Sequence, residues 1–429
     1  MFSFVLDLKN QIKNNITIIQ NTGYLTIIEC VRLIMPFVAL PYIIHIIGTE
    51  RYGMIVFSQA IISYFSIFIN FGLDVSSVKE VALLKSNKRE LNILVNSVIF
   101  IKLLLLLLSF IVLILSIVFI PLMNEYKSLL LFSFLSCLSE LLFPIWYFQG
   151  IEKMKYITLV SSSSIILYTL SVFIFVHNNS DYIFIPLLQS ICSIITGLVA
   201  FIYLLKYEDI KICLPPLQHI IAVLRNAVPF FFSRVSIVFN ANMAKTVSGL
   251  FLSMESVAAF DIAQKISQFV IIPVQMLNRA TYPYVSRTRN KIFITKYLYF
   301  SITVGLLLST VLFLVAPFLV SFFMNENTSE ATSVLHVLCL FTFSDTITLC
   351  LGTCTLVAFG FSKPFNESVI YSSLFLIILY IFIYLLNLFD TTSFALAISL
   401  TSIFVLAYRL YFCIKYNIFQ FRFYDHNCP

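Results

Sequence analysis

Apolar residues in this chain come in bands of about twenty, separated by short polar stretches, rather than at the spacing of an amphipathic helix or a half-buried strand. A helix rises about 1.5 Å per residue, so roughly twenty apolar residues cross the roughly 30 Å of a bilayer's hydrocarbon. Twelve bands are predicted as membrane-spanning helices. Six lie at 24–47, 54–71, 94–120, 129–148, 157–176 and 182–205, and six at 228–252, 257–280, 297–324, 331–359, 365–386 and 393–416. The expected fold class is an all-α polytopic membrane protein. No gap between bands exceeds about 22 residues, too few for a soluble domain, so function must reside in the bundle.

Composition agrees: hydrophobic residues make up 60% of the chain and mean hydropathy is +0.98, which leaves no soluble alternative. Charge adds an orientation. Of the 27 Lys and Arg residues, 19 fall on the side of the termini, Arg51 and Lys127 fall opposite, and six lie within bands. Positive residues in short loops stay in the cytoplasm, so both termini are expected there. The net charge of +7 comes from scattered loops facing anionic lipid headgroups, which argues against nucleic acid as a partner. Residues 1–20 mix Leu, Ile and Phe with Lys9 and Lys13, as in an amphipathic surface helix, and lack the compact apolar core and small-residue site of a cleaved signal. Nine cysteines form no disulfide framework and no metal-ligand spacing; Cys350 and Cys354 share a helix face as small packing residues. No metal or cofactor is implied.

The chain also looks doubled. Glu50 and Gln59 lie 205 positions before Glu255 and Gln264, and Phe148-Gln149-Gly150 precedes Phe359-Gly360 by about 210. Residues 1–213 and 214–429 are therefore expected to be two six-helix halves. An even number of spans per half gives a parallel repeat, the plan of several secondary transporters whose site sits between the halves near the midplane.

Charges inside the bands are the best functional signal, because each costs about 2.5–3.5 kcal/mol at a helix centre and so normally faces a bundle interior or a watery cavity. Candidate substrate-binding cations are Arg32, Lys102, Arg234, Lys245 and Lys265; candidate acidic groups are Glu29, Glu140, Asp261 and Asp345. Glu29 with Arg32 and Asp261 with Lys265 share helix faces and can neutralise each other. Arg32, Lys102 and Arg234 sit about 12 Å from the inner ends of their spans, within reach of snorkelling to headgroups. Asp345 has no basic residue within four positions and is the preferred ion-coupling candidate, whereas Arg409 is close enough to the end of its span to be ordinary. Ser161–Ser164, Asn240, Asn242, Gln264, Gln268 and Gln275 offer hydrogen bonds to a passing sugar or, in the plainer reading, between helices. Pro36, Pro41, Pro144 and Pro273 break backbone bonds within spans.

The segment Pro144-Ile145-Trp146-Tyr147-Phe148-Gln149-Gly150-Ile151-Glu152-Lys153-Met154 resembles a motif of the O-antigen flippase family of bacterial polysaccharide exporters. Phe71-Gly72-Leu73-Asp74-Val75-Ser76-Ser77-Val78-Lys79-Glu80-Val81-Ala82 is similar to that family's segment after its second span, and 258–266 with Pro283 to its eighth span. At the expected membrane interface, Trp146 and Tyr147 also read as plain aromatic anchors. The resemblance implies no enzymatic activity but a flippase carrying an oligosaccharide on undecaprenyl pyrophosphate from the cytoplasmic to the periplasmic leaflet, alongside other membrane proteins of polysaccharide assembly. Sugars and pyrophosphate cannot cross hydrocarbon unaided. A drug antiporter of the related multidrug exporter branch would use titrating acids such as Asp261, Asp345 and Glu140. A glycan polymerase or acyltransferase fits less well, since the outer loops are short and the five histidines lie in no catalytic motif.

Overall fold

The computed structural model describes Tyr24, Val31 and residues 34–208, 210–324 and 328–420. The described helices are α1 (Ile34–Ile47), α2 (Thr49–Asn70), α3 (Leu73–Leu84), α4 (Lys88–Phe119), α5 (Pro121–Glu125), α6 (Lys127–Phe134), α7 (Cys137–Leu142), α8 (Ile145–Gly150), α9 (Met154–Phe175) and α10 (Phe184–Tyr207). They continue with α11 (Leu217–Phe251), α12 (Met254–Thr288), α13 (Lys291–Phe323), α14 (Thr328–Leu349), α15 (Ser362–Leu385) and α16 (Thr391–Lys415). Among the described residues, eleven helical segments are long and apolar enough to cross a membrane, and they coincide with the second to twelfth predicted bands. Only part of the first band is described, as α1. Backbone groups in hydrocarbon must be satisfied within their own segment, which is why apolar bands become helices here.

Two compact units emerge. One contains the described residues up to Gly48 together with Ile61–Val235, and the other contains Thr49–Ala60 and Ser236–Pro429 up to the last described residue. The covalent chain therefore passes from one unit to the other three times, between Gly48 and Thr49, inside α2 and inside α11.

In the first unit the helix that begins at α2 breaks at Phe71 and Gly72, both left-handed (φ 46° and 71°), before α3. The fourth band is split into α6, α7 and α8; Phe143, ahead of Pro144, is extended as a residue before proline must be. One face of α4 presents Leu104, Leu107, Leu108, Ile111 and Leu115 outward, as expected of a surface that meets lipid. α8 is closed two residues beyond its end by left-handed Glu152 (φ 62°), with Lys153 N–H donating to Phe148 C=O (2.9 Å) and Glu152 N–H to Gln149 C=O (3.1 Å). The same paired closure recurs at Gly360 (φ 94°), where Phe361 N–H donates to Leu356 C=O and Gly360 N–H to Val357 C=O. These stops correspond at a spacing of 208, not the 210 read from the glycines, because the left-handed residue of the first is Glu152 and not Gly150.

The second unit is built on α14, against which α12, α13 and α16 pack. Its last turns widen into a π-helix, Cys350–Val357, a form frequent at functional sites. Cys350, Cys354 and Cys413 are buried in an apolar cluster with Val285, Ile294 and Leu351, consistent with packing roles.

Candidate functional site

In the second unit Asp261 on α12, 1% exposed, is the hub of a charged cluster. Its Oδ1 accepts from Lys245 Nζ of α11 and its Oδ2 from Lys265 Nζ one turn along α12, both at 2.8 Å. Tyr52 OH also donates to Oδ2, and Lys265 Nζ donates to Tyr52 OH at 2.7 Å while lying 5.4 Å from that ring's centre. Two ammonium groups share one carboxylate, so the cluster carries one unneutralised positive charge. The i,i+4 pairing of Asp261 and Lys265 was legible in sequence; Lys245, from another helix, was not assigned to it.

A cavity of about 490 Å³ lies among α11, α12, α14, the π-helix, α15 and α16. α14 contributes Leu338, Phe341, Asp345 and Thr348, a three-to-four-residue spacing that keeps them on one face. Asp345 makes no hydrogen bond or ion pair to another described residue. Arg409 of α16 lines the same cavity and is itself 8% exposed. Its Nε–H donates to Ser368 Oγ and an Nη–H to the Thr348 carbonyl, each at 3.0 Å, and its guanidinium lies 4.6 Å from the Phe365 ring centre. Gly352 in the π-helix makes room for it: a Cβ there would stand 2.5 Å from an Arg409 Nη atom and 3.0 Å from Phe365.

This overturns the reading of Arg409 as an ordinary residue near the end of a span. The signal was present, since Thr401, Ser402, Val405 and Arg409 recur at helical spacing and all line the cavity. Asp345 stands apart from basic residues only along its own helix, since α16 brings Arg409 to the same cavity. Asn240 and Gln264, read as sugar-binding or helix-joining groups, each spend their amide N–H: Asn240 on Ser372 Oγ (2.8 Å), Gln264 on the Ala241 carbonyl (3.3 Å). Both amide oxygens, and Thr348 Oγ, are buried without a partner.

The first unit holds two further groupings. Lys102, buried in α4, donates to Asn70 Oδ1 (2.7 Å) and to the Glu140 carbonyl (2.9 Å). The Glu140 carboxylate accepts from Ser66 (2.8 Å) and from Asn70 Nδ2 (2.8 Å), so two candidates from different helices share one network. Arg234 is half-buried and pairs at 3.0 Å with Asp74 of the second motif segment, while Glu80 of that segment accepts from Asn226. Arg32 and Glu29 lie outside the described residues.

The first motif has a structural role that sequence position obscured. Trp146, Tyr147 and Phe148 are not interface anchors but core residues, at most 2% exposed, packed with Val81, Val95, Ile151, Ala200 and Leu204. Pro144 is buried beside them, Gln149 is exposed, and Gly150 admits α3 so closely that a Cβ would stand 2.6 Å from Val81. Lys153 pairs with Glu208, which also accepts from Tyr147 OH at 3.3 Å.

The profile of a family described as polysaccharide biosynthesis protein matches residues 18–289, both motif segments included. The chain belongs to that family. Across 373 residues, 85% of this chain and 90% of the relative, it is 26% identical to a candidate O-antigen transporter of Escherichia coli K12. A protein of the same description from Shigella dysenteriae is 26% identical over 360 residues, 80% and 87% of the two chains. Among solved structures, the lipid II flippase MurJ in an inward closed conformation superposes with a TM-score of 0.66 at 19% identity, covering 86% of this chain and 85% of that one. An inward-facing multidrug resistance transporter of the MATE family gives 0.64 at 14% identity, covering 89% and 97%. These likenesses establish the fold of a multi-pass membrane transporter.

Proposed function

We propose that this family member is a flippase moving an oligosaccharide linked to undecaprenyl pyrophosphate from the cytoplasmic to the periplasmic leaflet of the bacterial inner membrane, with both termini in the cytoplasm. The observation that carries this reading is the match to transporters described for O-antigen along nine-tenths of their length. The charge pattern supports it. Lys245 and Lys265 outnumber Asp261 in a largely buried setting, a source of attraction for an anionic head, and Arg234 is a second, partly exposed cation whose partner Asp74 can be exchanged for phosphate oxygens. Lys102 is spent on Asn70 and a carbonyl and serves the bundle rather than the substrate. The division into six-span halves, 1–213 and 214–429, is part of the same proposal.

The test is the leaflet distribution of lipid-linked glycan in cells with and without the chain. Glycan should accumulate on the cytoplasmic leaflet without it and return to the outer surface when it is restored. Arg234→Gln should restore display less than Arg234→Lys at equal protein level. An unchanged distribution in cells lacking the chain would refute the proposal.

A further inference from the structure

We infer that the cavity of the second unit is a saccharide subsite, holding one sugar residue of the cargo between the acceptor wall of Asn240, Gln264, Thr348 and Asp345 and the guanidinium of Arg409. The inference rests on the flippase reading and names the part of the substrate that this cavity takes.

Three buried oxygens without a partner, on three residues that line one cavity, are the starting point. Leaving a buried polar atom unpaired costs about 1–3 kcal/mol, so native interiors rarely keep several together. Asn240, Gln264 and Thr348 all line the cavity, and each carries a buried oxygen, Oδ1, Oε1 and Oγ, that lacks a partner. Their geometry is not adjustable by a simple amide flip, because each amide nitrogen is already committed, to Ser372 and to the Ala241 carbonyl. The half-buried Asp345 carboxylate adds two further acceptors. A ligand for this wall must bring several donors.

Cations and hydroxyl groups both satisfy acceptors, and the opposite wall separates them. Arg409 is pinned by Ser368, the Thr348 carbonyl and the Phe365 face, with N–H groups left over, so it puts fixed positive charge in the same cavity and opposes a second cation. Hydroxyl groups can donate to the acceptors and accept from the guanidinium at once. The volume, about 490 Å³, falls in the usual range of small-molecule sites, roughly 300–1,000 Å³, and far exceeds the shell of a bare ion. Apolar side chains in the lining, among them Phe341 and Phe365, give flat surfaces for the C–H faces of a pyranose ring, and Gln268, Thr353, Thr401 and Ser402 add further polar groups.

The test uses the full chain in detergent, with glucose, rhamnose and N-acetylglucosamine as probes and saturation-transfer NMR as the readout. At least one sugar should receive saturation from the parent protein. Thr348→Val, which removes only an unpaired hydroxyl, and Asn240→Leu should each weaken that sugar about three- to tenfold, as expected for one lost hydrogen bond. Val405→Trp, which fills the space, should abolish the signal while size-exclusion profiles stay unchanged. Sodium chloride should not compete. No saturation of any of the three sugars, an undiminished signal in Val405→Trp, or displacement by sodium would each overturn the subsite. A parent that flips glycan in the leaflet assay yet binds no sugar refutes the subsite alone; one that binds sugar and fails to flip refutes the flippase reading and leaves the subsite standing.

Discussion

Replacing Asp261 with Asn should be among the most damaging single changes in the second unit, and the size of the effect follows from what it leaves behind. Asp261 is 1% exposed and accepts both Lys245 and Lys265 at 2.8 Å. Without its charge Lys245, with a side chain 15% exposed, keeps its ammonium in a largely dry place beside a second cation. Removing one partner of a buried pair costs about 3–5 kcal/mol, because the survivor is uncompensated. For a unit of about 200 residues each kcal/mol shifts the midpoint by about 2–4 °C, so the expected loss is about 6–20 °C. Lys265 differs: its side chain is 38% exposed and screened by water, so Lys265→Gln should cost about 0–1 kcal/mol, or under about 4 °C. Lys245→Gln should fall between, about 1.5–3 kcal/mol, since Asp261 keeps one lysine and a tyrosine. The double variant Asp261→Asn with Lys245→Gln should lose less than the sum of the two, as both buried charges are then gone. The measurement is residual folded protein on size exclusion after heating in detergent. An Asp261→Asn midpoint within about 4 °C of the parent, or a Lys265→Gln loss as large as that of Asp261→Asn, would show that the cluster is not held by this carboxylate.

Trp146→Ala should act through stability, costing about 3–5 kcal/mol because the ring is 2% exposed in a packed core, so membrane protein level should fall in step with glycan display and a normal level with lost display would contradict the structural role. Gly352→Ala places a methyl group against a pinned guanidinium and Phe365, for a cost of about 1–3 kcal/mol, and the reasoning fails if Gly352→Ala matches the parent in midpoint and in transport.

Much of this protein is written in its sequence. The length of each apolar band is set by bilayer thickness and by the need to satisfy every backbone group within the segment, which are local requirements, and eleven of the twelve predicted spans appear where the bands are. The family was legible too, because the residues from Pro144 to Met154 and from Phe71 to Ala82 form local motifs. The i,i+4 pair of Asp261 and Lys265 belongs to one helix and could be read in the same way.

Which way each helix faces was not legible. In a soluble protein an apolar stripe marks the core, but lipid is as apolar as the core, so buried and lipid-facing sides of a span look alike. For that reason Trp146 and Tyr147 could be taken for interface anchors although they are buried, and Arg409 for an ordinary residue near the end of its span although it is buried and lines a cavity. Partners from other helices are equally invisible along one sequence: Lys245 finds Asp261, Lys102 finds Asn70 and the Glu140 carbonyl, and Arg234 finds Asp74 only when the helices pack. The sequence by itself set how many helices cross and how far each extends; the tertiary structure decided which charges are spent on one another and which polar atoms remain for a ligand, because those depend on distances between segments that no local pattern encodes.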